Sequence, residues 1–306
     1  MPAYSSHFLF ANIMLNDIRQ AVDFELDEPA VYIGTQGPDI FYDHRALPWM
    51  YGKSLRAVGS ALHRSVPSAL LDALRDYVEQ NQNNDIAKSY AVGFILHYSL
   101  DRICHPYVYA MQKQITDKHP RVHHFTAHNT VEFALDSYLI NRMLDINKPT
   151  GFKTFEAFDF TDEVADECAR AIAYVVNSCT DFRISSFQAR QAVDDLMYIQ
   201  KVTYDPRHIK RMILHPLETA LSPVTKGFMP STMMLIDDLT LCKRLANESH
   251  SAWHSPYNST ERTESFYDLF TLAAPDSMGI IKAFFNGDNL KNKTNNLSFL
   301  TGERVE

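Results

Sequence analysis

Residues 97–105 read His-Tyr-Ser-Leu-Asp-Arg-Ile-Cys-His. Positions four apart share a helix face, so His97 and Asp101 present a nitrogen and a carboxylate side by side, an arrangement that grips one metal ion from a single helix. His105 lies one turn further along. A second pair, His128 and Glu132, repeats the spacing, and its stripe also carries His124 and Asp136. Two helices with facing pairs would make a multinuclear site, and nine of the thirteen histidines fall before residue 130. Around Asp101, the neighbours Phe94, Ile95, Leu100 and Ile103 imply a buried face. A carboxylate there costs several kcal/mol unless a cation or hydrogen bonds meet it. A metal ion and a salt bridge to Arg102 or another basic residue are the two ways to satisfy it, and a solvated helix face is the competing reading for His128 and Glu132.

The elements that must position these residues are helical. Apolar residues recur at helical spacing through most of the chain, and alternating strand-like runs are scarce, so the expected class is all-α. A first helix is expected to begin at Ser5 or Ser6, either of which can cap it, with Phe8, Phe10, Ile13, Met14 and Ile18 inward. The stretch GTQGPDIFYDHRALP breaks the helical pattern with two glycines and two prolines and must aim its polar side chains by turn geometry. Helical patterning resumes over residues 55–63, 68–82 and 86–104, where Pro106 is expected to end or kink the helix and push His105 out of it. Further helices are expected over 127–144, from Thr161, from a Ser185–Gln188 capping box, and over 207–221, 233–247 and 265–285. The Asn- and Lys-rich residues 286–306 read as a loosely held tail. The short NKPTG connection allows a division into a metal-bearing core, 1–150, and a helical extension, 151–306, packed on it.

The 306 residues carry a net charge of −8 and a pI near 5.9, which disfavours a phosphate-backbone surface and hence nucleic acid as partner. Lys210-Arg211 and Lys243-Arg244 read as solvated helix faces, and the 34 Tyr and Phe residues as core. No apolar run approaches bilayer length, and no segment reads as a membrane-binding helix. The start MPAYSSHFLFANIML lacks a basic leader, and Cys104, Cys168, Cys179 and Cys242 form no CxxC pair, so the expected location is the cytoplasm.

Taken in order, SSHFLFAN, GTQGPDIFY, ALHR, GFILHYSLDRICHPYV and HNTVEFALDSYL resemble the zinc-dependent phospholipase C family, related in fold to the P1-type nucleases. The resemblance covers about residues 5–140. It implies up to three Zn²⁺: one on His63, His97 and Asp101; one on His105, His128 and Glu132; and one on His7 and the second oxygen of Asp101, completed by the first residue's amino group and carbonyl. It further implies that Asp39, in the PDI triplet, activates or orients the attacking water, and that the substrate is a phospholipid headgroup diester. His44 competes with His63 and His124 with His128, and loss of Met1 would leave Pro2, a secondary amine, at the third site. Single-strand nuclease activity and a non-catalytic protein with structural zinc are the alternatives. The segment from Trp253 to Tyr257 reads as a packing turn in preference to a substrate entrance.

Overall fold

The computed structural model describes residues 3–156, 159–225, 229–258 and 260–306. Among these the chain is all-α, with thirteen α-helices and one ladder of two-residue strands, β1 (Trp253–His254) and β2 (Glu261–Arg262). In order the helices are α1 (Tyr4–Ala21), α2 (Glu28–Thr35), α3 (Ile40–Asp43), α4 (Arg56–Arg64), α5 (Pro67–Gln80), α6 (Asp85–Lys118), α7 (His124–Leu144), α8 (Asp162–Cys179), α9 (Ser186–Thr203), α10 (Ile209–Thr225), α11 (Leu239–Leu245), α12 (Phe266–Phe285) and α13 (Leu290–Thr294). One cluster of buried apolar side chains runs from Phe8 in α1 to Phe299 in the tail.

At the centre lies α6, 34 residues long and buried on nearly every side between Tyr90 and Met111, which is why its pattern is apolar all round. It packs against α2, α12, α7, α5, α8 and α1. The α2 crossing is close because glycine meets glycine: a methyl group on Gly93 would lie 2.2 Å from the Val31 carbonyl oxygen, and one on Gly34 would lie 2.4 Å from that of Tyr90. Beyond α2 the chain turns at Gly37, whose φ of +48° favours glycine and whose missing side chain makes room for the His97 ring. A 3-10 turn over Gly37–Asp39 then leads directly into α3.

Several expectations meet the structure differently. Pro106 neither ends nor displaces the helix; α6 runs through it to Lys118, and His105 stays helical. The tail supplies the reason. The Nη1 group of Arg102 donates to the Thr294 carbonyl at 2.8 Å, its guanidinium pairs with Asp276, and His105 Nδ1 bonds the Phe299 carbonyl, so side chains flanking the proline are tied to fixed partners. Residues 286–306 are accordingly not loose. Leu290 and Phe299 are buried, the Tyr98 hydroxyl donates to the Leu297 carbonyl at 2.8 Å, and Asn296 Oδ1 accepts the Ser68 amide at 3.1 Å.

Helix α1 starts at Tyr4 without a serine cap. Instead Asp136, on α7, accepts the Ser5 amide at 2.8 Å, the Ser6 amide at 2.9 Å and the Ser6 hydroxyl at 2.5 Å. A distant carboxylate satisfies the orphan amides that a local serine would otherwise cap. Ile13 points outward, away from the stripe of Phe10, Met14 and Ile18. Thr161 caps α8, and the Ser185–Gln188 capping box opens α9 as expected.

Gly93→Ala is expected to destabilise the fold by about 1–3 kcal/mol in urea unfolding, because backbone on the facing helix must move. Gly279→Ala, in open space on α12, should instead be neutral or stabilise by about 0.5–1 kcal/mol. Equal effects of the two substitutions would contradict the crossing described above.

Candidate metal centre

Asp101 projects from the middle of α6 with no solvent exposure. Its Oδ2 lies 3.2 Å from His97 Nε2, 3.7 Å from His63 Nε2 and 3.6 Å from His105 Nδ1, while Oδ1 lies 3.4 Å from His7 Nε2. Neither carboxylate oxygen has a hydrogen-bond partner, and neither do the Nε2 atoms of His7, His63, His97 and His105. Two donors each about 2.0–2.1 Å from a tetrahedral zinc stand roughly 3.3 Å apart, close to the spacing seen here. Buried polar atoms are rarely left orphaned, so this donor set fits a metal ion.

The opposite edges of the rings are pinned by oxygen acceptors. His97 Nδ1 donates to the Thr35 carbonyl at 2.9 Å, His63 Nδ1 to the Gly59 carbonyl at 2.8 Å, and His105 Nδ1 to the Phe299 carbonyl at 2.7 Å. Since a carbonyl can only accept, each Nδ1 carries a proton, which leaves Nε2 as the atom each ring can offer to a metal. Each acceptor comes from a different element: the end of α2, the middle of α4 and the tail.

Three ligand sets result. His63, His97 and Asp101 form one, and His105, His128 and Glu132 form another, each with its ligand atoms within 4.8 Å of one another. In the second set His128 Nε2 lies 2.8 Å from Glu132 Oε1, and His128 Nδ1 bonds Gln112 Oε1 at 2.7 Å. The third joins His7, Asp39 and His97, with the His7 ring stacked on His97 at 4.4 Å. Asp39 therefore sits nearer to coordination than its expected role on the water alone required: its Oδ1 is 3.2 Å from His63 Nε2. The first residue's amino group and carbonyl, on Met1 or Pro2, lie outside the described residues.

Of the competing histidines, neither joins these sets. His44 is buried, but its Nδ1 accepts the Leu55 amide at 3.1 Å. His124 is exposed at the start of α7, one turn before His128. Arg102 pairs with Asp276 and not with Asp101, so the basic groups that face that carboxylate are the histidines.

Charge follows from these distances. Burial alone would raise the Asp101 carboxyl, but the facing His97, His105, His63 and His7 rings hold it well below the usual carboxylate range. Burial drives His7 below the ordinary imidazole value and His105 well below it. Burial would also raise Glu132, yet His128 brings it down. Burial would lower His63 as well, yet Tyr42, Asp101 and Asp39 raise it well above the ordinary imidazole value, so a metal ion there would have to displace a proton from this ring. Nearby, burial pushes Asp43 up to about 7 even though the Tyr4 hydroxyl donates to it at 2.6 Å.

The site opens into a cavity of about 360 Å³. Asp39, His105, His128 and Glu132 line it, together with Tyr42, Tyr109 and Phe125 and the guanidinium-bearing Arg56. Arg56 rests over the Tyr42 and Phe125 rings at 5.5 and 5.0 Å.

Sequence reasoning missed the acceptors that orient the rings. A backbone carbonyl leaves no mark in the residue type, so Thr35, Gly59 and Phe299 carry no signal, and Gln112, four residues before Thr116 on a polar stretch, carries none either.

A family model described as zinc dependent phospholipase C matches residues 6–179, more than half of the chain and every ligand candidate from His7 to Glu132. No curated protein and no solved structure matches the chain.

Asp101→Asn is expected to lower bound zinc by at least one ion per chain in elemental analysis, since it removes the charge shared by several ligands. Deleting residues 295–306 removes the acceptor of His105 and should weaken metal binding about 10–100-fold in a chelator competition. Unchanged affinity in a folded, truncated chain would mean that the tail does not orient the site.

Proposed function

Because the chain belongs to the zinc-dependent phospholipase C family, we propose that it hydrolyses a phospholipid headgroup diester at a centre of up to three zinc ions. The proposed ligands are His7, His63, His97, Asp101, His105, His128 and Glu132. The observation that carries this reading is the fully buried Asp101 whose oxygens, like the facing histidine nitrogens, have no hydrogen-bond partner beside a 360 Å³ cavity. Zinc, when bound, supplies a water of lowered pKa and neutralises charge on the phosphoryl oxygens.

The chain's own groups complete the chemistry. Asp39 lines the cavity, and its carboxylate accepts the proton of the attacking water or holds that water in line with the phosphorus. Arg56 brings a fixed positive charge to the cavity wall, where it meets a phosphoryl oxygen. Tyr42 and Phe125 hold the Arg56 guanidinium on their faces, and Tyr109 adds an aromatic ring to the cavity wall beside a quaternary ammonium headgroup. His63, His97 and His105 turn their Nε2 atoms toward the site because their other nitrogens are committed to carbonyls. The four cysteines are free thiols, which supports a reducing compartment such as the cytoplasm.

Purified protein should contain zinc and hydrolyse a water-soluble phosphocholine diester; a preparation with neither would refute the proposal. Digestion of single-stranded nucleic acid with the phosphocholine diester untouched would select the nuclease alternative, against which the charge of −8 weighs. Asp39→Asn should lower kcat by about 10²–10⁴ while zinc remains at the Asp101 and Glu132 sets. Arg56→Ala should raise KM more than it lowers kcat.

A further inference from the structure

Helix α10 is built inside out. On a helix advancing 100° per residue, Ile209, Met212, Ile213, Leu217, Leu221 and Val224 share one face. That face points to solvent: the last five of these residues are 54–81 % exposed. The polar face turns inward and packs on the 3-10 turn Pro230–Met233. There Glu218 accepts the Ser231 amide at 3.1 Å, Arg211 Nη2 donates to the Ser231 carbonyl at 2.9 Å, and His215 Nδ1 lies 3.3 Å from the Ser231 hydroxyl. Arg211, expected on a solvated face, is thus a packing residue.

A second apolar surface adjoins the first. The loop between α3 and α4 displays Trp49 and Tyr51, the latter 89 % exposed. Trp49 Nε1 donates to the Tyr198 hydroxyl on α9 at 3.3 Å. From the end of α9, the Val202 and Tyr204 carbonyls accept Lys210 Nζ of α10 at 2.7 and 2.8 Å. The two surfaces are therefore joined through the last turns of α9. Ala46, three residues before Trp49, and Met233, two residues after Ser231, help to line the cavity beside the candidate metal centre.

We propose that α10 and the Trp49–Tyr51 loop form a docking surface for a phospholipid bilayer, bringing the cavity to the headgroup layer. The proposal rests on the phospholipase reading for its purpose, and on the chemistry of the surface for its occupant. At 17 residues α10 is about 25 Å long, and among the described residues no helix is long and apolar enough to cross a membrane, so it would lie in the plane of the interface. Trp and Tyr favour that boundary because they pair an apolar ring with a polar edge. Charge is complementary too. Between residues 207 and 225 the sole acid, Glu218, is buried, whereas Arg207 and Lys210 are exposed cations on a chain whose net charge is −8.

The chain has two tryptophans, and Trp253 is buried, so Trp49 reports on docking. Zinc-loaded protein mixed with phosphatidylcholine vesicles containing phosphatidylserine should co-sediment with them and shift its tryptophan emission to shorter wavelength. The double variant Ile213→Asp, Leu217→Asp should bind the vesicles about tenfold or more weakly. It should hydrolyse the soluble phosphocholine diester at the wild-type rate. Wild-type protein that ignores the vesicles, or a variant that binds them equally well, overturns the proposal. A wild-type dimer that the variant converts to monomer overturns it as well, because a second copy then covers the face. Vesicle binding that the variant loses, without hydrolysis of any diester, upholds the docking surface and refutes the phospholipase reading. Hydrolysis of the soluble diester without vesicle binding does the reverse.

Discussion

A carboxylate with no access to water, faced by four imidazoles and bonded to none of them, is the constraint on which this structure turns. Leaving the Asp101 charge uncompensated at the middle of a buried helix would cost several kcal/mol, a large share of the stability of an ordinary domain. A cation beside Asp101, His63 and His97 would supply the compensation. Folding and metal binding would then be linked, because α1, which carries His7, and α2, whose end orients His97, pack on α6.

Each support can be traced from this requirement. The Gly34–Gly93 contact lets α2 approach α6 closely enough for the Thr35 carbonyl to orient His97. The turn at Gly37 carries Asp39 to the same ring cluster. Asp136 of α7 pins the first turn of α1, so His7 is held against the helix that carries His128 and Glu132. The tail closes the far side, where the Phe299 carbonyl fixes His105 and its ring lies 5.6 Å from His63. Ligands held on helices and braced by backbone acceptors lose little freedom when a metal binds.

Much of this was legible in the sequence, for a physical reason. A histidine and a carboxylate four apart on one helix leave a local pattern, and so do the capping residues Thr161, Ser185 and Gln188; the structure keeps both spacings on helices. What was illegible is long-range. Nothing local marks the Phe299 carbonyl as a partner of His105, 194 residues away, or Asp136 as the cap of a helix 131 residues earlier. Pro106 does not end α6, and the ties of Arg102 and His105 to the tail in the turn before it are long-range contacts that leave no local mark. Helix α10 shows the limit of reading amphipathicity: period predicts that two faces exist, while tertiary context decided that the polar one turns inward.

Anomalous diffraction at the zinc edge, from crystals of the protein with its native start, tests the central claim most directly. The account predicts one peak about 2.0–2.2 Å from an Asp101 oxygen and His97 Nε2, and a second among His105, His128 and Glu132. Crystals grown with zinc that show no such peak, with Asp101 hydrogen-bonded directly to the histidines, would contradict it.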